Sequence, residues 1–213
     1  MVYNSDTANT ISEYLLQIKA IKLNAKDPFT WASGLKSPIY CDNRKTLSFH
    51  KIRTFIRQQF VQIINEEFPS IDVVAGVATG AIAHGVLVAQ ELGLPFVYVR
   101  PSEKKHGLEN KIEGQLDSGQ SVIVIEDLIS TGKSSLSAVD ALRSAGCEVK
   151  GMVAIFNYNL EKARENFKKA KCRLYTLADY DHLIQHAVAS NYISDKDLKS
   201  LEKWRENPDE WGN

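Results

Sequence analysis

The feature that most constrains the fold is an alternation, from residue 73 onwards, of short apolar runs with segments of helical periodicity. The predicted strands lie at 73–77, 96–99, 122–125, 149–156 and 172–177, and the predicted helices at 80–92, 134–145 and 160–170. Strands that alternate with helices of about 10–15 residues are typical of βαβ units. The pattern therefore predicts an α/β fold in which a central parallel sheet is flanked by helices on both faces.

Outside this alternating region, the sequence patterns that indicate helices and strands are weaker. Apolar residues at helical spacing predict helices at 7–21 and 49–68, with short strands at 29–32 and 39–41 between them. Near the C-terminus, Ser194 is a candidate N-cap for a short helix that packs Leu198, Leu201 and Trp204.

The composition disfavours several classes of protein. The 213 residues include 26 Lys and Arg against 26 Asp and Glu, and a net charge of zero disfavours a nucleic-acid partner, because such binders are usually basic. Three cysteines without a C-x-x-C pair exclude a disulfide framework and a standard zinc ribbon. The N-terminus lacks the apolar core of a signal peptide, and no apolar stretch is long enough to span a bilayer. We therefore expect a cytoplasmic protein without a membrane partner.

Residues 122–135, VIVIEDLISTGKSS, form the most informative segment. A buried strand ends in two acids, Glu126 and Asp127, and the polar stretch 130–134 then opens a helix. Ligands of α/β proteins bind at the carboxyl ends of strands, and the free N–H groups of a helix N-terminus bind anions. The segment therefore predicts a phosphate site with two carboxylates beside it.

Two carboxylates next to a phosphate site suit a ligand that also carries hydroxyl groups. Their oxygens accept hydrogen bonds from ribose hydroxyls, directly or around Mg²⁺. The alternative is an ordinary strand–turn–helix unit with capping hydroxyls, and the paired acids weigh against it. A Walker A motif requires a glycine where Asp127 stands, five residues before Gly132, and a G-x-G-x-x-G motif is absent. P-loop and Rossmann nucleotide sites are therefore both excluded.

The segment resembles the phosphoribosyl pyrophosphate (PRPP) motif of type I phosphoribosyltransferases, which joins an apolar strand, two acids and a Thr/Ser/Gly loop. Three further segments resemble the orotate phosphoribosyltransferase family. They are an N-terminal hood, FTWASGLKSPIYCDNR (29–44), a pyrophosphate loop, GVATGAIAHG (76–85), and a mobile catalytic loop, RPSEKKHGLENKIEG (100–114). The last lies in a charged stretch without periodicity, 101–119, for which a solvated hairpin is the alternative. The resemblance covers about residues 10 to 190.

The resemblance implies a type I phosphoribosyltransferase-like fold in which 1–213 form a single domain, with a hood at about 1–45, a core at about 46–190 and a tail at about 191–213. It implies a cytoplasmic enzyme that transfers ribose 5-phosphate from PRPP to orotate, giving orotidine 5-monophosphate and pyrophosphate in the synthesis of UMP. It also implies Mg²⁺, held mainly by PRPP and water near Glu126 and Asp127, and a homodimer with shared sites.

The resemblance also implies roles for individual residues. Lys104, His106 and Asp127 would be catalytic, and the loop carrying Lys104 and His106 would reach the site of the neighbouring subunit. Orotate would contact Ser130 and Lys36. The residues implied to bind PRPP are Lys36, Arg100, Lys104, His106, Glu126, Asp127, Leu128, Ile129, Ser130, Thr131, Gly132, Lys133 and Ser134.

Three positions depart from the family pattern. Gly80 stands where some members carry a lysine in the pyrophosphate loop. Lys133 stands where many members carry glycine, and 156–159 lack the arginine that some members direct at the orotate carboxylate. We therefore expect hood backbone groups or Lys36 to bind that carboxylate. The family pattern also predicts a non-proline cis peptide at 78–79. Two alternatives stay open, a purine-type phosphoribosyltransferase and a non-catalytic regulator that binds nucleic acid, although the hood disfavours the first and the zero net charge the second.

Overall fold

A computed structural model describes residues 1–31, 34–101, 111–208 and 210–211 of the chain. In chain order, its elements are α1 (Ser5–Gln17), β1 (Ile21–Leu23), β2 (Phe29–Thr30), β3 (Lys36–Ser37), β4 (Ile39–Cys41), a 3-10 helix (Asn43–Ser48), α2 (His50–Glu67), β5 (Val73–Val77), α3 (Ile82–Leu92), β6 (Phe96–Val99), β7 (Ile112–Glu113), β8 (Ser121–Ile129), α4 (Lys133–Ser144), β9 (Glu148–Asn157), α5 (Glu161–Lys169), β10 (Leu174–Asp179), α6 (Tyr180–Ala189) and α7 (Asp195–Glu206).

The central sheet has six strands in the order β10-β9-β8-β5-β6-β7. The pairs from β10 to β6 are parallel, which confirms the predicted α/β class. The short edge strand β7 runs antiparallel to β6, so the sheet is mostly rather than entirely parallel. Two small antiparallel pairs, β1 with β4 and β2 with β3, lie in the N-terminal region.

Helices cover both faces of this sheet. Because successive side chains of a strand point to opposite faces, each strand contributes to an apolar cluster on either side. On one face, side chains of α1, α2, α3 and α6 form an apolar cluster with Val74, Ile123 and Val153. On the other face, side chains of α4 and α5 form a second cluster with Val73, Val124 and Met152. The strands are therefore apolar on both faces, as the β-branched runs predict.

Two predicted boundaries are wrong by four residues, whereas the other predicted bounds differ from the structure by at most two. The first helix ends at Gln17 rather than residue 21, because Lys19 has a positive φ of 54° and Ile21 pairs with Cys41 in the first small sheet. β8 extends beyond residue 125 to Ile129, because β9 runs beside it as far as the pair Ile129 and Asn157. The acids Glu126 and Asp127 consequently lie within the strand, close to its carboxyl end.

The C-terminal helix α7 is confirmed, whereas α6 was not predicted. Ser194 caps α7 by accepting a hydrogen bond from the Asp197 N–H. Leu201 and Trp204 are fully buried, and the Trp204 ring contacts those of Trp31, Tyr158 and Tyr180. The Trp204 indole also donates to the backbone oxygen of Lys36 at 3.3 Å, so α7 packs directly on β3. Within the described residues, no helix has both the length and the hydropathy needed to cross a bilayer.

Candidate active site

A cleft of about 840 Å³ opens at the carboxyl ends of β5, β6 and β8. Four parts of the chain that are distant in sequence meet there: 41–44, 77–80, 99–101, and the adjacent segments 126–128 and 130–134. This is the edge of a parallel sheet at which ligands of α/β proteins bind. The predicted phosphate segment and the predicted pyrophosphate loop therefore face the same space.

The two acids of β8 have different surroundings. Glu126 is 4% exposed, and its two carboxylate oxygens accept hydrogen bonds from the Asp127 N–H at 2.9 Å and from the Ser135 hydroxyl at 2.7 Å. Burial, and then the neighbouring charge of Asp127, raise the pKa of Glu126 above its ordinary value. Asp127 is half-buried and lines the cleft. Asp127 therefore offers acceptor atoms to a ligand, while Glu126 is held by the protein.

The loop after β8 presents the N-terminus of α4 to the cleft. Gly132 precedes the helix with a φ of 76°, and a Cβ added to it would lie 2.6 Å from the Phe167 ring, so glycine is required there. The Asn166 side chain donates to the Thr131 backbone oxygen at 2.9 Å and fixes the loop. The first N–H groups of a helix have no intrahelical partner, so this end of α4 can bind an anion.

Most of the residues predicted to bind PRPP line the cleft, but two of the described ones do not. Lys133 and Ser134 are exposed and line the cleft. Ile129 is fully buried in the second apolar cluster and does not line the cleft. Lys36 also lies outside the lining, and its ammonium group donates to the Thr30 hydroxyl at 3.0 Å.

The pyrophosphate loop follows β5 directly. The peptide bond between Ala78 and Thr79 is cis, as predicted, and the Ala78 N–H donates to the Val99 oxygen at 2.9 Å. Gly80 then lies against the carboxyl group of Asp127. The loop and the acidic end of β8 are thus in direct contact.

The positive side chains of the cleft come from several elements. Arg100 lines the cleft and lies 3.3 Å from the Glu113 carboxylate. Arg44 also lines it, is 63% exposed, and pairs with Asp42 at 2.7 Å. The predicted catalytic residues Lys104 and His106 lie outside the described residues.

Sequence reasoning missed the contribution of 41–44 to this site. Cys41, Asp42 and Arg44 line the cleft, and the buried side chain of Asn43 donates to the Asp127 backbone oxygen at 2.6 Å. The available signal was the polar triplet Asp-Asn-Arg directly after the apolar strand 39–41. It lies in the hood segment, but its side chains received no role.

The comparisons with known proteins agree with this geometry. Residues 46–184 match the phosphoribosyl transferase domain family. The chain is 54% identical over 202 residues to orotate phosphoribosyltransferase of Porphyromonas gingivalis, covering 95% of this chain and 96% of that relative. The Listeria innocua enzyme of the same name is 52% identical over 202 residues, covering 95% of this chain and 97% of that one. This chain belongs to the orotate phosphoribosyltransferase family. The resemblance found in the sequence is thereby confirmed.

The structural comparison gives the same family. The crystal structure of orotate phosphoribosyltransferase from Aeropyrum pernix superposes with a TM-score of 0.74 at 26% identity, covering 86% of this chain and 99% of that chain. The chain therefore has the phosphoribosyltransferase fold and is a transferase. Its departures from the pattern of the orotate phosphoribosyltransferases are Lys133, Gly80 and the missing arginine at 156–159, and they are variations within this family.

Proposed function

We propose that this cleft binds PRPP and orotate and transfers ribose 5-phosphate from the first to the second in pyrimidine biosynthesis. The observation that carries the proposal is the meeting of three features in one cleft: the accessible carboxylate of Asp127, the N-terminus of α4 and the loop 77–80. PRPP contains a ribose, a 5-phosphate and a pyrophosphate, and each feature suits one of these groups.

Asp127 and Glu126 are proposed to bind the ribose hydroxyls. The carboxylate of Asp127 is the accessible one of the pair, whereas Glu126 is buried and already accepts two hydrogen bonds. We assign the direct hydroxyl contact to Asp127, with Glu126 holding the Asp127 N–H in place. The 5-phosphate then lies at 128–134, where backbone N–H groups and the hydroxyls of Ser130, Thr131 and Ser134 are donors.

The pyrophosphate is proposed to lie on loop 77–80, with Arg100 beside it. Arg44, which also lines the cleft, adds a second guanidinium group. Lys104 and His106 are proposed to complete this positive environment from the neighbouring subunit, as the family resemblance implies. Cations placed in advance act best where negative charge develops, and here that place is the departing pyrophosphate.

Orotate is proposed to bind on the side of the cleft that faces the N-terminal region, against Ser130 and near Lys36. Ser130 supports this placement, because it lines both the main cleft and a second cavity of about 740 Å³ whose wall includes Trp31 and Leu35. Lys36, the first residue of β3, directly follows Leu35. For Lys36 to contact the base, its ammonium group has to leave the Thr30 hydroxyl.

Mg²⁺ fits the donors of this cleft only as an ion held mainly by the substrate. Among the described residues, no cluster of three or more His, Cys, Asp or Glu side chains is arranged to hold a metal. Asp127 supplies one accessible carboxylate with Glu126 behind it, and PRPP supplies the further oxygen atoms that Mg²⁺ prefers. When bound, the ion neutralises part of the pyrophosphate charge.

The proposed reaction exchanges two bonds at the anomeric carbon of the ribose. The bond to the pyrophosphate oxygen breaks, and the bond to N1 of orotate forms. As this bond forms, N1 of orotate loses its proton, which passes to the departing pyrophosphate or to water. Because orotate is already an electron-rich anion, no strong base is required, and the main task is to stabilise the leaving group. The protein orients both reactants in the cleft, and the loop 100–114 is proposed to exclude water that would otherwise hydrolyse the sugar.

The assembly and organisation of the chain are also proposed here. We propose a homodimer in which the loop carrying Lys104 and His106 serves the partner subunit's site, so that both subunits form each site. The single-domain organisation and the cytoplasmic location expected from the sequence stay predictions.

An absorbance assay of orotate consumption tests the proposed function. The purified protein with orotate, PRPP and Mg²⁺ is expected to consume orotate, and removal of Mg²⁺ by a chelator is expected to abolish the reaction. Adenine and hypoxanthine serve as matched acceptor controls. Consumption of a purine base with no consumption of orotate would contradict the proposal.

A further inference from the structure

The side chain of Asn43 joins the N-terminal region to the acidic end of β8. Asn43 is 1% exposed, and its Nδ2 donates to the Asp127 backbone oxygen at 2.6 Å. The Cys41 thiol donates to Oδ1 of the same amide at 3.2 Å. The Asp127 backbone oxygen can only accept a hydrogen bond, so the NH2 group of the Asn43 amide must face it. Oδ1 of the amide then faces the Cys41 thiol.

The Asp127 carbonyl lies beyond the point where β8 loses its neighbouring strand β5. The last pair in register between β5 and β8 is Gly76 with Ile125. On the other side, β9 continues beside β8 as far as Ile129. Backbone oxygens near the end of a ladder take donors from elsewhere in the protein, and at Asp127 the Asn43 side chain is such a donor.

A second layer of hydrogen bonds holds Asn43 itself. The hydroxyl of Thr46 donates to the Asn43 backbone oxygen at 2.6 Å, and it lies 3.0 Å from His84 Nε2. A hydroxyl has one proton, so His84 must be the donor in the second contact. Burial, and then the nearby charge of Arg53, lower the pKa of His84 to about 4, which keeps the imidazole neutral. The chain of bonds thus runs from His84 in α3 through Thr46 and Asn43 to Asp127.

We propose that Asn43 is a positioning residue, which holds the backbone of Asp127 so that its carboxylate faces the ribose of PRPP. This inference rests on the ribose-binding role of Asp127 under the proposed function. It gives the hood segment a part in binding the ribose of PRPP, in addition to the proposed role of Arg44 at the pyrophosphate. The bonds from Thr46 and His84 extend the same support to α3, which follows the pyrophosphate loop.

A double-mutant cycle distinguishes positioning of Asp127 from general support of the fold. The dissociation constant of PRPP with Mg²⁺ is measured by calorimetry, and kcat and KM are measured with orotate, for the wild type, Asn43→Ala, Asp127→Asn and the double variant. Loss of the hydrogen bond from Asn43 to Asp127 is expected to weaken PRPP binding, and to lower kcat/KM, by about 5- to 10-fold. In the Asp127→Asn background the same change is expected to cost less than about 2-fold, because the carboxylate that it positions is already lost.

Two further variants sharpen the test. Asn43→Asp has nearly the same shape but places an oxygen against the Asp127 backbone oxygen, so it is expected to bind PRPP more weakly than Asn43→Ala. Asn166→Ala removes an equivalent bond, from an asparagine amide to the Thr131 oxygen, and is the matched control. Because that bond supports the phosphate loop and not the carboxylate, its effect is expected to be equally large in the wild-type and Asp127→Asn backgrounds.

The outcomes separate this inference from the proposed function. If Asn43→Ala is folded and costs the same factor in both backgrounds, or costs nothing, the positioning role is wrong. If PRPP binding shows the expected coupling but orotate is not consumed, only the acceptor base is wrong. If Asn43→Ala does not fold, Thr46→Val tests the same chain of bonds one step away, with Thr46→Ser expected to restore PRPP binding. Wild-type binding by a folded Thr46→Val would then overturn the inference.

Discussion

Gly80 lies against the carboxyl group of Asp127, so that a Cβ added to Gly80 would lie within 2.7 Å of all three carboxyl atoms. We predict that Gly80→Ala displaces this carboxylate and lowers kcat/KM about as much as Asp127→Asn does, roughly 10- to 150-fold. Thermal denaturation should change little, because the Asp127 side chain can rotate away. Steady-state kinetics and a melting curve of the variant test this.

The Asp127→Ala background is the control for that prediction. Without the carboxylate there is nothing for the new methyl group to displace, so adding Gly80→Ala should cause little further loss of activity. A Gly80→Ala protein with wild-type kinetics would show that the contact has no functional consequence.

Asp127→Asn keeps the shape of the side chain but removes its charge. A charge-assisted hydrogen bond contributes roughly 1.5–3 kcal/mol, so we predict a fall in kcat/KM of about 10- to 150-fold. The measurement is the initial rate of orotate consumption at varied PRPP concentration. Unchanged kinetics would mean that the paired acids only support the fold.

His84→Gln should remove a pH dependence of stability. The unfolded imidazole takes up a proton as the pH falls below its ordinary pKa of about 6.5, whereas the folded one stays neutral until the pH approaches its lowered pKa of about 4. Because the unfolded state then binds more protons, the free energy of unfolding of the wild type falls with decreasing pH, by about 2 kcal/mol at pH 5 and roughly 3 kcal/mol overall.

Urea denaturation at about pH 7.5 and pH 5 measures this difference. Gln keeps an N–H group for the Thr46 hydroxyl, so the variant should lose about 2 kcal/mol less than the wild type between the two pH values. His50→Gln, at the exposed start of α2, is the control. Equal losses in wild type and His84→Gln would mean that His84 does not resist protonation in the folded state.

Shared sites predict complementation between two inactive variants. Lys104→Ala and Asp127→Ala should each be nearly inactive as homodimers. When they are unfolded and refolded together, about half of the dimers should be mixed, each with one intact site, so roughly a quarter of the wild-type activity should return. Verified heterodimers as inactive as the separate variants would show that the loop does not act across the interface.

The strands of the sheet and the helices packed on it were predictable where the local hydrophobic pattern agrees with the tertiary environment. The runs 73–77 and 96–99 are apolar because both faces of the sheet are covered, and their predicted bounds match β5 and β6. Ser194 marked α7 because its capping contact is local. In contrast, Ile21 fits the helical spacing of α1 but forms a strand pair with Cys41, a contact between distant residues that periodicity does not contain.

The candidate site was predictable to the extent that it lies in one continuous segment. Residues 126–134 form such a segment, and the strand, acids and glycine that make it an anion site are adjacent in sequence. The contact of Asn43 with Asp127 joins residues 84 positions apart, and nothing local indicates which backbone oxygen an asparagine will meet. The closeness of Gly80 to the same carboxylate likewise follows only from the packing of β5 beside β8.

The central claim is the transfer of ribose 5-phosphate to orotate in this cleft, and phosphorus NMR of the products tests it most directly. With PRPP limiting and orotate and Mg²⁺ in excess, we predict that each PRPP consumed yields one orotidine 5-monophosphate and one pyrophosphate. Asp127→Asn should slow both products equally. Release of pyrophosphate together with free ribose 5-phosphate, with orotate left unchanged, would contradict the account.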